Sequence, residues 1–193
     1  MDFQALYDQA TAAQRNGDLP EAERLYREIL AGAAIPEVMV NYANLLARLG
    51  RGVEALAQYD RALSARPDFF EAHFNRANLL LEMKRPQDAA AGFDRAVAAR
   101  PDAAGAWNNR GTALRAARRP EDALQSYDRA VALAPGHVGA LTNRAIVLFD
   151  LRRLDEALAA ADRALAAQPG FAGALATRGN ILRHLGPLTE ALA

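Results

Sequence analysis

Four prolines recur at a constant interval of 34 residues, at Pro67, Pro101, Pro135 and Pro169. The residues before them repeat too, because EALAQYDRALSARP, DAAAGFDRAVAARP and EDALQSYDRAVALAP are variants of one phrase. A fixed period of this length is typical of a helical repeat array, in which each helical pair buries its apolar face only against its neighbours. Such a chain has no single central core to hold an active site, so we expect it to act through recognition by an extended surface.

Six copies of the repeat are present, the first one residue short and the last incomplete. We place them at 3–35, 36–69, 70–103, 104–137, 138–171 and 172–193 and treat 1–193 as one array. Two helices can approach closely only where neither carries a bulky side chain. Small residues stand in register at three such positions, at Ala22, Ala55, Ala89, Ala123, Ala157 and Ala191, at Ala10, Ala43, Ala77, Gly111, Ala145 and Gly179, and at Ala62, Ala96, Ala130 and Ala164.

Large residues complement these columns, with leucine on each first helix and an aromatic ring on most second helices. The aromatic column comprises Tyr26, Tyr59, Phe93 and Tyr127, and Ala161 interrupts it. Acidic residues suit the positive end of a helix and mark the starts, whereas proline cannot extend a helix and marks the ends. These signals predict helices and no strands, at 3–16, 20–31, 36–49, 52–65, 70–83, 86–99, 104–117, 120–133, 138–151, 154–167 and 172–185.

With these columns in place, the chain resembles the tetratricopeptide repeat (TPR) proteins. That family carries small residues at the eighth, twentieth and twenty-seventh positions of a 34-residue helix-turn-helix and proline at the thirty-second, and the match covers essentially the whole chain. The resemblance implies an all-α fold, a right-handed superhelical solenoid of antiparallel helix pairs. It also implies that the first helices line a concave groove that holds a peptide or extended segment.

Composition fits a well-packed helical array, since 51% of the 193 residues are hydrophobic and many of these are alanine. The 23 basic and 23 acidic residues balance, so there is no basic excess to attract nucleic acid or an anionic membrane. The N-terminal residues lack a basic region followed by an apolar run, so nothing marks the chain for export, and we expect a cytoplasmic protein without membrane insertion.

Two charged columns depart from the apolar pattern. Arginine stands at the seventh position of four copies, at Arg76, Arg110, Arg144 and Arg178, and aspartate at the twenty-fifth, at Asp60, Asp94, Asp128 and Asp162. If each hairpin turns near its sixteenth position, these two positions lie level on antiparallel helices. We therefore expect structural pairs within a copy, of Arg76 with Asp94, Arg110 with Asp128 and Arg144 with Asp162, and the alternative is a ligand-binding role for the arginines.

The predicted groove carries an asparagine column, Asn41, Asn75, Asn109 and Asn143, with Asn44 and Asn78 one turn along. An amide both donates and accepts, so such a ladder can hold an extended peptide backbone without demanding particular side chains. The column resembles the asparagine ladder in the repeat arm of O-linked N-acetylglucosamine transferases, where such residues hold substrate peptides. The alternative is that these amides are merely solvated.

Apolar residues around the amides offer anchoring points for one or two partner side chains. The predicted groove carries Phe74 and Phe149, which we favour as anchors, together with Tyr7, Val40, Leu81 and Ile146. Both extended-peptide and helix-in-groove binding fit this surface. Chaperone-binding TPR proteins grip a carboxylate with cations that this chain lacks, since Val40, Phe74 and Gly105 stand in their places.

No enzyme, metal site or cofactor is predicted. The histidines His73, His137 and His184 fall on different repeat positions, whereas a metal site needs convergent ligands. The serines Ser64 and Ser126 lack a glycine-flanked elbow. Cysteine is absent, which removes thiolate chemistry.

Two functional classes remain: a protein interaction scaffold that binds a partner segment in its groove, and an N-terminal substrate-targeting arm of a larger enzyme such as a glycosyltransferase. An array normally needs a polar capping helix over its last apolar face, so we expect the end at Ala193 to reflect some truncation. Self-association through the exposed Leu188 and Leu192 end is a third hypothesis.

Overall fold

The computed structural model describes residues 2–191, and it describes side chains over residues 2–186. Eleven α-helices and no strand are found within the described range. The helices are α1 (Phe3–Arg15), α2 (Leu19–Gly32), α3 (Pro36–Arg48), α4 (Gly52–Ala65), α5 (Phe70–Glu82), α6 (Pro86–Ala99), α7 (Ala104–Ala116), α8 (Pro120–Leu133), α9 (Val138–Asp150), α10 (Leu154–Ala167) and α11 (Ala172–Ala191).

The chain divides into two compact units, Met1–Arg85 and Pro86–Ala193. In the first unit α1 packs on α2 and α3 packs on α4, while α5 lies against α3 and α4. In the second unit α7 packs on α8 and α9 packs on α10, while α6 lies against α7 and α11 against α10. Within the units, α3, α7 and α9 each contact their own second helix and also the second helix of the preceding repeat.

The helix ends confirm the sequence prediction to within one residue from α1 to α10. The prediction that the last helix ends near residue 185 is wrong, because α11 continues to Ala191. Gly186 stands where the earlier hairpins turn, but α11 continues through that position. The predicted contact at Ala191, and Leu188 and Leu192 of the self-association hypothesis, lie outside the described side chains.

The predicted small columns form the helix contacts. The alanines of all three columns that lie within residues 2–186 are fully buried, at 0% exposure. The aromatic column is equally buried, with Tyr26, Tyr59, Phe93 and Tyr127 at 2% exposure or less. Leu182 differs from the other leucines of its position, because it is 39% exposed whereas Leu148 is fully buried. This difference arises because a second helix covers Leu148 in its hairpin, while α11 continues past Leu182 without turning.

The described hairpin turns share one residue in the left-handed conformation. Glycine fills that position at Gly17 and Gly50, whereas Lys84, Arg118 and Arg152 fill it with φ of 60°, 63° and 61°. In each of the last three turns the residue's N–H closes the end of the first helix, as when Arg118 N donates to Arg115 O at 3.1 Å. A side chain makes this conformation unfavourable, so these turns are held by the packing of the helices around them.

We expect Arg118→Gly to raise the free energy of unfolding by about 0.5–1 kcal/mol in a urea titration. Removing the side chain relieves the cost of a left-handed residue, about 1–2 kcal/mol, and the greater freedom of glycine in the unfolded chain takes back part of the gain. Gly50→Ala is the matched control, and it should lower the stability. Equal or lower stability of Arg118→Gly would show that the turn carries no such strain.

The predicted pairing of arginines and aspartates within a copy is wrong. Each arginine instead pairs with the aspartate of the preceding repeat, as Arg76 Nε does with Asp60 Oδ1 at 2.7 Å and Arg144 Nε with Asp128 Oδ1 at 2.6 Å. Arg110 and Arg178 likewise pair with Asp94 and Asp162, both at 2.6 Å. The seventh position of a first helix faces the helix before it in the chain, and the prediction considered only the helix after it.

These ion pairs have the structural role that the sequence favoured, but each contributes less to the stability than a buried pair would. The four aspartates are 50–57% exposed, so water screens the attraction. Each pair then contributes about 0–1 kcal/mol rather than the several kcal/mol of a buried pair. Between the first two repeats, Arg27 Nε donates to the Tyr42 hydroxyl at 2.9 Å, and this polar contact takes the place of the ion pair.

Candidate functional site

The candidate groove face comprises the eight residues that the sequence predicts for binding. They are Asn41, Asn44, Phe74, Asn75, Asn78, Asn109, Asn143 and Phe149. All eight lie on the first helices α3, α5, α7 and α9, and all eight are partly exposed. Four of the six copies therefore present one or more of these side chains to solvent. No observation of bound peptide tests these residues, so their role stays a prediction.

In the first unit the amides bond to neighbouring repeats. Asn41 Nδ2 donates to the Tyr7 hydroxyl at 2.5 Å, and Asn75 Nδ2 donates to Asn44 Oδ1 at 3.1 Å. Asn44 Oδ1 also accepts from the Tyr59 hydroxyl at 2.5 Å. Each bond joins a first helix to the preceding repeat or to its own second helix, so the amide planes are fixed before any ligand arrives.

The tyrosine hydroxyls in these bonds remain protonated at neutral pH. Burial raises the pKa of Tyr59 well above its ordinary value, and the nearby Glu82 carboxylate raises it further. Burial, with a smaller effect of Glu37, also raises the pKa of Tyr7. The Tyr59 hydroxyl therefore acts as a donor toward Asn44, and this fixes which way the Asn44 amide faces.

A cavity of about 220 Å³ lies beside these amides in the first unit. Asn44, Asn75 and Asn78 line it together with Ala47, Arg48, Tyr59, Leu79 and Glu82. Phe74 stacks on Phe70 at a centroid distance of 5.6 Å, so it presents a supported aromatic surface rather than a freely rotating ring. Polar donors, one carboxylate and an aromatic pair are thus available on one face.

The second unit departs from this arrangement. Asn143 Nδ2 donates to Asn108 Oδ1 at 3.0 Å. Asn108 Nδ2 in turn donates to Asn109 Oδ1 at 3.1 Å. Thr112 stands where the first unit has Asn44, so the acceptor for the ladder comes from another position of the repeat. Sequence reasoning missed Asn108, because it belongs to no column that repeats along the chain.

Phe149 contacts the edge of the His184 ring at a centroid distance of 4.9 Å. A cavity of about 280 Å³ adjoins it, lined by Ile146, Phe149, Asp150, Ala176, Thr177 and Asn180. Ile146 and Phe149 thus line a cavity together, and their use as apolar anchors stays a prediction. Val40, predicted as a groove residue, is only 4% exposed and belongs to the core, because its side chain turns toward the helix contact.

Charged residues on the same first helices are partly neutralised in pairs. Arg115 Nε lies 3.1 Å from Asp150 Oδ2, and Arg66 lies 2.6 Å from Glu37. Burial acts to raise the pKa of Glu37, but the hydrogen bond from Arg66, a backbone hydrogen bond and the charge of Arg66 together hold that pKa below its ordinary value. Within residues 2–186 no three His, Cys, Asp or Glu side chains gather as a metal site would require. Among the described helices, none combines the length and hydropathy needed to cross a bilayer.

Comparisons with known proteins agree with this architecture. Protein-family models described as tetratricopeptide repeat match residues 7–70, 41–94, 74–138 and 114–181. Since the matches cover most of the chain, it belongs to the tetratricopeptide repeat family, and its fold is an all-α TPR solenoid. This fold supports a role in protein–protein interaction. No curated protein matches the chain.

Solved structures with the same fold include three TPR proteins. A tetratricopeptide repeat protein from Parabacteroides merdae has a TM-score of 0.83 at 21% identity, over 98% of this chain and 76% of that one. MamA from Desulfovibrio magneticus has a TM-score of 0.75 at 25% identity, over 88% and 95% of the two chains. YrrB, described as a TPR protein with an unusual peptide-binding site, has a TM-score of 0.79 at 20% identity, over 90% of each chain.

Proposed function

We propose that this protein is an interaction scaffold that binds an extended or helical segment of a partner protein along the candidate groove face. The observation that carries the proposal is the set of partly exposed amides, one column on successive first helices, each oriented by the protein. Asn75 uses one hydrogen of its Nδ2 for Asn44, and the amide retains a second hydrogen and its Oδ1 for a ligand.

Fixed amides favour binding for an energetic reason. A side chain that must be immobilised by a ligand costs about 0.5–1.5 kcal/mol, whereas the described bonds of Asn41, Asn44 and Asn75 restrict these side chains beforehand. Backbone groups of an extended segment pair with such amides regardless of sequence, and Phe74 and Phe149 provide apolar surface for side-chain contacts. The description of YrrB as a peptide-binding TPR protein supports this use of the fold.

The test begins with capture of partners by the intact chain, followed by measurement of their affinity for the double variant Asn75→Ala, Asn109→Ala. Each lost hydrogen bond is worth about 0.5–1.5 kcal/mol, so the dissociation constant should rise about 5- to 100-fold. Helicity measured by circular dichroism should stay unchanged.

Asn16→Ala is the matched control, because Asn16 is an exposed asparagine that ends α1 and lies outside the candidate groove face. Its affinity should equal that of the unmodified chain. Undiminished binding by the double variant would rule out the asparagine ladder as the binding surface. Cytoplasmic location and self-association through the end of α11 remain predictions of the sequence.

A further inference from the structure

A second cavity of the first unit, of about 340 Å³, differs from the others in its charge. Its lining residues are Thr11, Gln14, Arg15, Tyr26, Asn41 and Arg48. Two of the six are arginines, and none carries a carboxylate. Arg15 and Arg48 end the first helices α1 and α3, so the cavity lies between two successive repeats, and Asn41 connects it to the candidate groove face.

Both arginines of this cavity are exposed, and within the described residues neither forms an ion pair or a side-chain hydrogen bond. By contrast, Arg115, near the end of the first helix α7, pairs with Asp150 at 3.1 Å. Glu82 lines the adjacent 220 Å³ cavity, where Arg48 is also a lining residue, but it lies beyond ion-pairing distance of Arg48. The cavity thus keeps two positive charges that the fold itself does not use.

Among the polar groups around the two arginines, Gln14 has used its acceptor oxygen, whereas Tyr26 and Thr11 have used their hydroxyl hydrogens. The Tyr26 hydroxyl donates to Gln14 Oε1 at 2.7 Å, which leaves the Gln14 amide to offer N–H groups. Thr11 Oγ1 donates to Asp8 O at 3.0 Å. Burial, with a smaller effect of Tyr7, raises the pKa of Tyr26 to about 12, so its hydroxyl keeps its proton at neutral pH. A ligand in the cavity meets two guanidinium groups and an amide N–H, a donor-rich set suited to an acceptor.

We propose that this cavity binds a glutamate or aspartate side chain of the segment that lies on the candidate groove face. A carboxylate accepts two parallel N–H bonds from one guanidinium, and such charge-assisted bonds are stronger than neutral ones. Asn41 Oδ1 can accept a backbone N–H of the same segment. The inference rests on the proposed function and adds to it the chemistry of the partner, an acidic residue near the first two repeats.

The experiment uses the intact chain labelled with ¹⁵N in arginine and asparagine side chains, titrated with short peptides at physiological ionic strength. The acidic probe is an acetylated and amidated alanine–serine peptide with two glutamates, and the neutral probe replaces both with glutamine. We expect the acidic probe to shift the Nε–Hε signals of Arg15 and Arg48 and to bind about tenfold more tightly than the neutral probe. Arg15→Gln and Arg48→Gln should each remove about tenfold in affinity for the acidic probe.

Arg95→Gln is the matched control, because Arg95 is an exposed arginine on α6 that does not line the cavity. It should leave the affinity unchanged. A third probe, neutral but with a free C-terminal carboxylate, separates the two sources of the anion, and tighter binding of this probe than of the acidic one would overturn the side-chain assignment. Equal binding of the acidic and neutral probes, with the Asn75 amide signals shifted, would overturn this inference and leave the proposed function intact. Absence of any shift would contradict both.

Discussion

Tyr127→Ala should lower the free energy of unfolding by about 3–5 kcal/mol, the loss expected when a buried aromatic side chain is truncated. The Tyr127 ring is 1% exposed and packs over Gly111 on the facing helix of its hairpin. Truncation leaves a cavity that two helices held at close range cannot collapse to fill, so the packing energy of the ring is lost without recovery.

Tyr127→Phe separates the ring from its hydroxyl. The hydroxyl lies 3.3 Å from Thr112 Oγ1 at the edge of the hairpin, so its removal should cost about 1 kcal/mol or less. Urea titrations of both variants supply the comparison, with circular dichroism as the signal. A loss below about 1 kcal/mol for Tyr127→Ala would mean that the hairpin rearranges around the cavity, against the rigid packing described above.

The position of each helix could be predicted from the sequence because the repeat amplifies weak local signals. Ala55 alone does not indicate a helix contact, but Ala22, Ala55, Ala89, Ala123 and Ala157 in register do, and all five are fully buried. The turns at Gly50, Lys84, Arg118 and Arg152 follow the same logic, since each stands at a constant distance from an inter-repeat proline. Because the period is constant, one alignment of the copies predicts the ends of ten helices to within one residue.

What the period could not supply is which neighbouring copy a side chain contacts. The arginine column and the aspartate column share one interval, so Arg76 could pair with Asp60 of the preceding copy or with Asp94 of its own copy. Only the packing of α5 against α4 decides in favour of Asp60. For the same reason the sequence did not predict the bond from Asn75 to Asn44, which joins two different repeats.

Features that occur once in the chain were also beyond prediction. Asn108 accepts from Asn143 because Thr112 interrupts the earlier pattern, and no column records this exchange. The sequence likewise did not indicate the cavity of Arg15 and Arg48. Later copies place arginine at a different position and pair it, as with Arg115 and Asp150. The repeat architecture is therefore readable from the sequence, whereas the local chemistry of its surface requires the side-chain contacts.

Alanine substitution at two glycines of the same repeat position should change stability in opposite directions. Gly111 and Gly179 both stand at the eighth position, where the other copies carry alanine. A Cβ added at Gly111 would lie 2.6 Å from the Tyr127 ring, a separation that real side chains do not adopt, whereas no described atom lies within 4 Å of one added at Gly179. The ring over Gly111 is enclosed and cannot move aside without disturbing the helix contact.

We expect Gly111→Ala to lower the free energy of unfolding by about 1–2 kcal/mol. Overpacking costs about 1–3 kcal/mol, and the higher helix propensity of alanine returns about 1 kcal/mol or less. Gly179→Ala gains the propensity without the clash and should raise stability by about 1 kcal/mol. Urea titration of the two single variants measures the difference, and stabilisation by both would show that Tyr127 yields to the added methyl group and that the α7–α8 contact is softer than its geometry indicates.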